Sequence, residues 1–262
     1  MTAQELWNDL VKVRKSAPLV HNITNFVVMN NTANALLAIG ASPVMAHAPE
    51  EVEEMVAISS ALVINIGTLS RDWVAAMHDA MRAAGKKGLP VVFDPVGAGA
   101  TRYRTETCLD LLDTAPVAVI RGNASEIMAL VDSAVQTKGV DSSTSGMAAE
   151  PAARSLADKY RCSVVVSGAT DFITDGERAV LVSNGHPLMP KVTGLGCTAT
   201  ALIGAFAAVN ADVFVAAGHA MAIMGICGEI AAEQAAGPAS LQVNLIDCFY
   251  TLSQEQIVQR LR

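Results

Sequence analysis

Short apolar runs alternate along the chain with segments whose apolar residues recur at helical spacing. Runs that are apolar throughout are typical of parallel strands covered on both faces. The runs span residues 44–46, 61–67, 90–94, 117–121 and 162–167, and the helical segments span residues 31–39, 50–60, 71–86, 106–113, 124–132 and 148–160. The pattern predicts an α/β protein with a mainly parallel central sheet and helices on both faces.

The pattern changes after residue 167. Residues 172–174 and 178–182 flank the pair Asp175-Gly176, a composition that favours a tight hairpin turn. Residues 198–262 show helical spacing. We therefore expect a small antiparallel addition to the sheet, followed by a helical C-terminal region.

A single domain covering residues 1–262 is expected. The stretch 136–146 is the most loop-like part of the chain, but it lies between two helical segments, and we find no internal repeat. Residues 2–16 mix both charge signs with apolar residues at helical spacing, which predicts a helix and not a signal peptide.

The composition is unusually poor in charge. Charged residues make up 16% of the chain and hydrophobic residues 52%, whereas a soluble domain has about 25% charged residues. A membrane or a partner subunit could cover the missing polar surface. The longest uncharged stretches, 192–211 and 213–228, are rich in small residues and lack flanking Lys or Arg clusters, so they favour packed core helices over a membrane hairpin. We expect a cytoplasmic oligomer.

The net charge and the spacing of the cysteines argue against further classes of partner and site. The net charge is −7 and no basic stripe is found, which argues against a nucleic-acid partner. The five cysteines are far apart and form no C-x-x-C pair, which argues against a disulfide framework and a zinc site. They are Cys108, Cys162, Cys197, Cys227 and Cys248.

Polar residues end four of the predicted strands. In open α/β sheets the ligand lies beyond the carboxyl ends of the strands, so these ends are expected to converge on one site. Each of them alone is usually a turn or a helix cap. They are Gly67-Thr68, Asp94-Pro95, Arg121-Gly122-Asn123 and Ser167-Gly168.

The segment Gly194-Leu195-Gly196-Cys197 precedes a predicted helix over 198–209. Glycines let backbone N–H groups approach a ligand closely, and a helix N-terminus favours negative charge, so the segment suits a phosphate. A thiol at a helix start is expected to have a lowered pKa. The alternative is that small residues stand here only for packing.

Asn123 and Glu126 have the spacing of a helix N-cap arrangement. The functional alternative places Glu126 beside Asp94 near a magnesium ion that bridges phosphates, because hard carboxylate oxygens suit that ion. Arg121 would then supply a positive charge to the phosphate chain.

Together these motifs resemble the hydroxyethylthiazole kinases, which are members of the ribokinase-like superfamily. The resemblance runs from end to end. It rests on residues 18–25 (PLVHNITN), 38–45 (AIGASPVM), 65–69 (NIGTL), 94–96 (DPV), 121–127 (RGNASEI), 166–168 (VSG) and 194–197 (GLGC).

The resemblance implies a ribokinase-like fold and ATP-dependent phosphorylation of the alcohol of 5-(2-hydroxyethyl)-4-methylthiazole, in thiamin biosynthesis and salvage. It also implies magnesium and a homotrimer with active sites between neighbouring subunits. By position it assigns Met45, Gly194, Asn25, Gly67 and Thr68 to the substrate pocket, Arg121 and Ser167 to ATP, Asp94 and Glu126 to magnesium and phosphates, and Cys197 to the place where most ribokinase-like enzymes have an aspartate base.

Two residues depart from the family pattern: Ser167 stands where a threonine is also common, and Leu195 stands where relatives often have Thr. Three other functions stay open at this point. The chain could be a related kinase of a hydroxymethylpyrimidine or pyridoxal-like alcohol, or a thiazole-binding module without catalysis. It could also be a hydrolase with Cys197 as nucleophile and His21 or His219 as base.

Overall fold

An eight-stranded sheet forms the centre of the computed structural model, which describes residues 1–132 and 146–262. The strands are β1 (Leu19–Ile23), β2 (Ser42–Val44), β3 (Ala61–Asn65), β4 (Val91–Asp94), β5 (Val119–Asn123), β6 (Ser163–Ser167), β7 (Asp171–Thr174) and β8 (Ala179–Val182). They lie side by side in the order β2-β1-β3-β4-β5-β6-β7-β8. Strands β1 to β6 pair in parallel, and β7 and β8 add an antiparallel hairpin at one edge.

Helices cover both faces of this sheet. They are α1 (Ala3–Ser16), α2 (Met29–Ile39), α3 (Val52–Ile58), α4 (Arg71–Lys87), α5 (Arg102–Leu112), α6 (Ala124–Val131), α7 (Glu150–Tyr160), α8 (Leu195–Ala207), α9 (Val213–Glu233), α10 (Pro238–Thr251) and α11 (Gln254–Arg260). Helices α1, α2, α8, α9 and α10 bury their apolar sides in one core cluster, and α4 to α7 bury theirs in a second cluster on the other face.

Neighbouring strand residues point into opposite clusters. In β3, Val63 belongs to the first cluster, whereas Leu62 and Ile64 belong to the second. Because a strand buried on both faces needs apolar residues at every position, this packing explains the continuous apolar runs of the sequence. The predicted α/β class, the mainly parallel sheet, the antiparallel hairpin and the helical C-terminal region are confirmed.

Several boundaries differ from the predictions. Strand β1 was not predicted as a strand because His21 and Asn22 interrupt its apolar run, although both side chains are buried. Strand β2 lies at Ser42–Val44, two residues before the predicted run at 44–46. Helix α5 begins four residues earlier than predicted, where the Thr101 side chain caps it. The loop predicted over 136–146 lies outside the described residues except for its last residue.

Helix α9 is, among the described residues, the one helix long and apolar enough to cross a membrane. Most of it is buried inside the protein, and its apolar side chains belong to the first core cluster together with those of α8. A helix surrounded by other parts of the core is apolar on all sides. The stretches 192–211 and 213–228 are thus packed core helices with their connecting segments, as expected from their small residues.

Candidate active site

A chain of hydrogen bonds joins the carboxyl ends of three strands to the start of α8. Asn25, two residues after β1, donates from Nδ2 to the Asn65 Oδ1 at 2.8 Å and to the Cys197 Sγ at 3.4 Å. Asn65 in turn donates from Nδ2 to the Asp94 Oδ2 at 2.8 Å. The Thr200 hydroxyl donates to the same Asp94 oxygen at 2.7 Å. These contacts connect the thiol of Cys197 to the carboxylate of Asp94.

Asp94 is fully buried, and its two oxygens have different surroundings. Oδ2 accepts the two hydrogen bonds from Asn65 and Thr200 and lies 3.9 Å from the Arg121 Nη1. Oδ1 has no hydrogen-bond partner among the described residues. Burial raises the pKa of Asp94 despite the opposing effects of Arg121 and the two hydrogen bonds. A buried acceptor without a partner is costly, so this oxygen is suited to a donor or cation that arrives with a ligand.

The glycine segment forms the first turn of α8, which begins at Leu195 and not at the predicted residue 198. Gly194 is the N-cap residue with φ +81°, a left-handed conformation that suits glycine, and a Cβ there would lie 2.5 Å from the Val28 Cγ1. The first hydrogen bond of the helix runs from the Thr198 N–H to the Gly194 carbonyl. The preceding N–H groups are therefore available to an anion at the positive end of the helix dipole.

Arg121 lies directly against this turn. A Cβ on Gly196 would approach the Arg121 Nη1 to 2.6 Å, so the glycine leaves the space that the guanidinium occupies. The Arg121 Nη2 donates to the Ser167 Oγ at 2.6 Å, and the Arg121 Nε has no partner among the described residues. Nearby Asp171 accepts a bond from the Gly168 N–H at 2.9 Å, and burial raises the pKa of Asp171 to about 6.

Glu126 fills the capping role that its spacing predicted. Its Oε2 accepts from the Asn123 N–H, and the Asn123 side chain accepts from the Glu126 N–H, which completes a capping box at α6. Its Oε1 accepts from the Gly97 N–H at 2.8 Å. Burial, and then the charge of Asp94, raise the pKa of Glu126 to about 7. The cap and the position near Asp94 thus occur together, although the sequence presented them as alternatives.

The expectation of a lowered pKa at Cys197 is wrong. Burial, and then the charge of Asp94, raise the pKa of the Cys197 thiol to about 11, so the thiol is neutral at pH 7. The hydrogen bonds of the two candidate bases lead elsewhere: the His21 Nε2 contacts the Ala46 carbonyl, and the His219 Nδ1 contacts Asp9. Neither histidine is hydrogen-bonded to Cys197, so the pair that a cysteine hydrolase needs is not formed.

The residues expected to line a substrate pocket lie at the same edge of the sheet. Gly67 packs against Asn25, since a Cβ on Gly67 would lie 2.6 Å from the Asn25 Nδ2, and its N–H donates to the Asn65 Oδ1 at 3.0 Å. Thr68 follows Gly67 and is half-buried. Met45 directly follows β2, one of the two edge strands, so it lies at the carboxyl edge but is not part of the hydrogen-bonded chain.

Asn65 and Thr200 were not identified as site residues from the sequence. Asn65 ends β3 and pairs in register with Asp94 at the end of β4, so the two side chains meet across neighbouring strands. Thr200 stands three residues after Cys197 in α8, and residues at this spacing share one helix face. Register and helix spacing are therefore the signals that would have found them.

The oxygen donors at this edge of the sheet are of the type that suits a magnesium ion. Among the described residues, no group of three or more His, Cys, Asp or Glu side chains could hold a metal by itself. Asp94 and Glu126 nevertheless offer hard carboxylate oxygens, and the Asp94 Oδ1 is a buried acceptor that lacks a partner within the described part. Magnesium commonly binds through one or two carboxylates together with substrate phosphates.

Comparisons with known proteins show the family of this chain. The profile of the Hydroxyethylthiazole kinase family matches residues 10–255. The hydroxyethylthiazole kinase of Syntrophus aciditrophicus is 57% identical over 264 residues, which cover 100% of this chain and 97% of that protein. The hydroxyethylthiazole kinase of Oleidesulfovibrio alaskensis is 56% identical, with 94% and 92% of the two chains covered.

Two solved structures extend the comparison to the fold. The structure of the hydroxyethylthiazole kinase protein from Pyrococcus horikoshii OT3 has a TM-score of 0.91 at 44% identity and covers 99% of this chain and 98% of that chain. The pyridoxal kinase from Staphylococcus aureus, in complex with AMP-PCP and pyridoxal, has a TM-score of 0.63 at 15% identity, covers 81% of this chain and 88% of that chain, and shares the fold. The eight-stranded sheet and these structural neighbours show that the chain has the fold of ribokinase-like kinases. The chain belongs to the hydroxyethylthiazole kinase family.

Proposed function

We propose that this chain transfers the γ-phosphoryl group of ATP to the hydroxyl group of 5-(2-hydroxyethyl)-4-methylthiazole, giving the thiazole phosphate and ADP for thiamin biosynthesis. One observation carries the proposal in a chain of this family: hydrogen bonds through Asn25 and Asn65 link Cys197, in the glycine turn of α8, to the carboxylate of Asp94. An acceptor alcohol and a phosphoryl group can meet between this turn and this carboxylate.

Phosphoryl transfer passes through a loose transition state, so it depends mainly on positioning and on neutralising charge. The free N–H groups after Gly194 lie at the positive end of α8 and hold the γ-phosphoryl oxygens. Arg121 lies against this turn and contacts Ser167, so these two side chains bind the phosphate chain of ATP. Charge-assisted hydrogen bonds from a guanidinium to phosphate are among the stronger interactions available to a protein.

Cys197 orients the acceptor hydroxyl. A strong base is not required, because the hydroxyl proton leaves late in a loose transition state and can pass to an oxygen of the transferred phosphoryl group. Because the pKa of the thiol is raised to about 11, Cys197 holds the alcohol as a neutral thiol. A thiolate that removes the proton of the alcohol is disfavoured. Asn25, which donates to the sulfur, fixes the direction in which the sulfur presents its lone pairs.

Asp94 and Glu126 would hold a magnesium ion, in part through water. The ion would supply positive charge that offsets the charge of the phosphates. The Asp94 Oδ1 has the free lone pairs for this role, while both oxygens of Glu126 already accept backbone N–H bonds. Glu126 therefore acts through its remaining lone pairs or through a water molecule.

Met45, Asn25, Gly67, Thr68 and Gly194 form the wall of the thiazole pocket in this proposal. We further propose a cytoplasmic homotrimer whose active sites lie between neighbouring subunits. Two observations support it. Met45 follows an edge strand of the sheet, and the residues directly after Asn25 are apolar yet exposed, Phe26 by 65% and Val27 by 69%. An apolar surface beside a site is suited to cover by another subunit.

The decisive experiment is a coupled assay that measures ADP formation with the thiazole alcohol, ATP and magnesium, each omitted in turn. Formation of ADP and thiazole phosphate only when all three are present supports the proposal. Pyridoxal and a hydroxymethylpyrimidine serve as competing acceptors, and faster turnover of either one would reassign the substrate. Binding of the thiazole without turnover would indicate a binding protein. Light scattering should give three times 27.2 kDa, and an active monomer would contradict the shared site.

A further inference from the structure

Arg104, on α5, joins two loops that carry the active site. Its Nη1 donates to the Ile66 carbonyl at 3.0 Å and to the Val96 carbonyl at 2.8 Å, and its Nη2 donates to the Gly67 carbonyl at 2.9 Å. Two of these carbonyls follow β3 and one follows β4. A single guanidinium therefore holds the ends of two neighbouring strands together at the edge of the sheet where the site lies.

The same two loops donate backbone N–H groups to the polar side chains of the site. The Gly67 N–H donates to the Asn65 Oδ1, and the Gly97 N–H donates to the Glu126 Oε1. The loop after β3 therefore sets the orientation of the Asn65 amide, which bonds to Asp94. The loop after β4 sets the position of the Glu126 carboxylate. A shift of either loop would therefore disturb the group that the loop holds.

We infer that Arg104 is a positioning residue for phosphoryl transfer, an inference that rests on the proposed function. It orders the Ile66–Gly67 and Val96–Gly97 backbone and so holds the Asn65–Asp94 pair and Glu126 in register with the glycine turn of α8. Arginine is suited to this task because its planar fork presents several N–H donors in fixed directions. A small displacement of groups in a catalytic site can cost about 100-fold in rate.

The chain offers a matched control in Arg14 of α1. The Arg14 guanidinium also donates to three carbonyls, those of Phe249, Tyr250 and Leu252 at the end of α10, each at 3.1 Å. It stands in the last turn of α1, which leads into the amino end of β1. That end of the strand is opposite the edge that carries the site. Loss of Arg14 removes the same number of hydrogen bonds without touching the two loops.

The experiment compares wild type, Arg104→Ala, Arg104→Lys and Arg14→Ala by melting temperature, kcat and the KM for ATP and for the thiazole alcohol. We expect Arg104→Ala to lower kcat about 100-fold with a small change in the KM for ATP, because Arg121 and the α8 turn are intact. Arg104→Ala and Arg14→Ala should lower the melting temperature by similar amounts, because each removes three hydrogen bonds. Arg14→Ala should keep the wild-type kcat. Added ethylguanidinium should restore part of the kcat of Arg104→Ala but change nothing in Arg14→Ala.

Arg104→Lys decides the question if the alanine variant does not fold. A single ammonium group cannot reproduce the planar fork, so kcat should fall about tenfold in a folded protein. A wild-type kcat in a folded Arg104 variant would overturn the inference, and so would an equal loss of kcat in Arg14→Ala. A wild-type enzyme without thiazole kinase activity would instead contradict the proposed function.

Discussion

Asp9 and Asp94 are both buried, with exposed fractions of 3% and 0%, but their partners differ. The Asp9 Oδ1 accepts from the Lys12 Nζ at 2.8 Å, and its Oδ2 accepts from Asn210 and His219, so both oxygens are satisfied. In Asp94 one oxygen is satisfied, and the other lacks a partner in the described part of the chain. Asp9 joins α1 to α9 and to the loop before it, whereas Asp94 faces the glycine turn of α8.

The pKa values of the two groups move in opposite directions. Burial raises the pKa of both carboxyls, but in Asp9 the hydrogen bonds from Lys12, Asn210 and His219 outweigh burial and leave the pKa below its usual value. In Asp94 burial prevails and the pKa is raised. Burial alone therefore does not distinguish a structural carboxylate from a functional one. In the proposed site, the Asp94 oxygen that lacks a partner among the described residues is the acceptor offered to a ligand, whereas Asp9 has no such oxygen.

The largest expected contrast is between the effects of Asp94→Asn and Asp9→Asn on kcat and on the melting temperature. Loss of the charge should lower kcat about 100- to 1,000-fold, because a site group that stabilises the transferring phosphoryl group and its metal is removed. The melting temperature should stay the same or rise, since a buried charge is removed too. Steady-state kinetics and thermal unfolding of Asp94→Asn and Asp9→Asn test this. Asp9→Asn should keep the kcat of the folded protein and melt earlier, and a reversal of the two results would invalidate the comparison.

Arg121→Ala should raise the KM for ATP about 10- to 150-fold, since charged hydrogen bonds to phosphate contribute about 1.5–3 kcal/mol. Gly196→Ala should have the same kind of effect, because the new Cβ would lie 2.6 Å from the Arg121 Nη1 and displace the guanidinium. Gly237→Ala, at the start of α10, is the control, since no atom of another described residue, apart from the two chain neighbours, lies within 4 Å of its Cβ position. An unchanged KM for ATP in both site variants would remove Arg121 from the nucleotide site.

Most of the fold could be predicted from the sequence because each central strand is buried on both faces. Val63, between Leu62 and Ile64, belongs to a different core cluster from its neighbours, so the strand is apolar at each position from 61 to 64. Strand β1 was missed for the opposite reason. Its His21 and Asn22 are polar, and only the tertiary structure shows that β2 and β3 enclose them.

The site could be predicted only in part. Polar residues at strand ends are visible in the sequence, and their convergence follows from the parallel topology. The partners of Asp94 depend on which residues are paired across strands and on which face of α8 is turned toward the sheet, and both are set by the tertiary structure. The pKa of Cys197 was predicted wrongly because burial and the charge of Asp94, more than 100 residues away in sequence, determine it.

Cys197→Ser should retain measurable activity, with a loss of about tenfold. A residue that only orients the alcohol contributes less than a general base, which is worth about 100- to 10,000-fold. Cys197→Asp should retain kinase activity if its charge is offset by the helix N-terminus and magnesium. Thiazole phosphate is the product to measure. A folded Cys197→Ser protein that binds ATP and forms no product would contradict the orienting role.

The smallest effects concern the pH dependence of stability, where Asp9 and Asp94 should differ in sign. The pKa of Asp94 is raised above 3.8, so the folded state holds its proton longer than the unfolded state does, and stability falls as pH rises above 3.8. The pKa of Asp9 is lowered below 3.8, so its contribution is complete above pH 3.8 and is lost as pH falls below that value.

Urea unfolding of wild type, Asp94→Asn and Asp9→Asn at several pH values between 3 and 7 separates these contributions, each unit of pKa difference being worth about 1.4 kcal/mol. The advantage of Asp94→Asn over wild type should grow as pH rises from 4 to neutral, because the variant has no charge to bury. The deficit of Asp9→Asn should stay nearly constant from pH 5 to 7 and shrink below 3.8, where wild type also loses the ionised carboxylate. If the stability difference from wild type changed with pH in the same way for both variants, Asp94 and Asp9 would titrate alike. The distinction between the two aspartates would then fail.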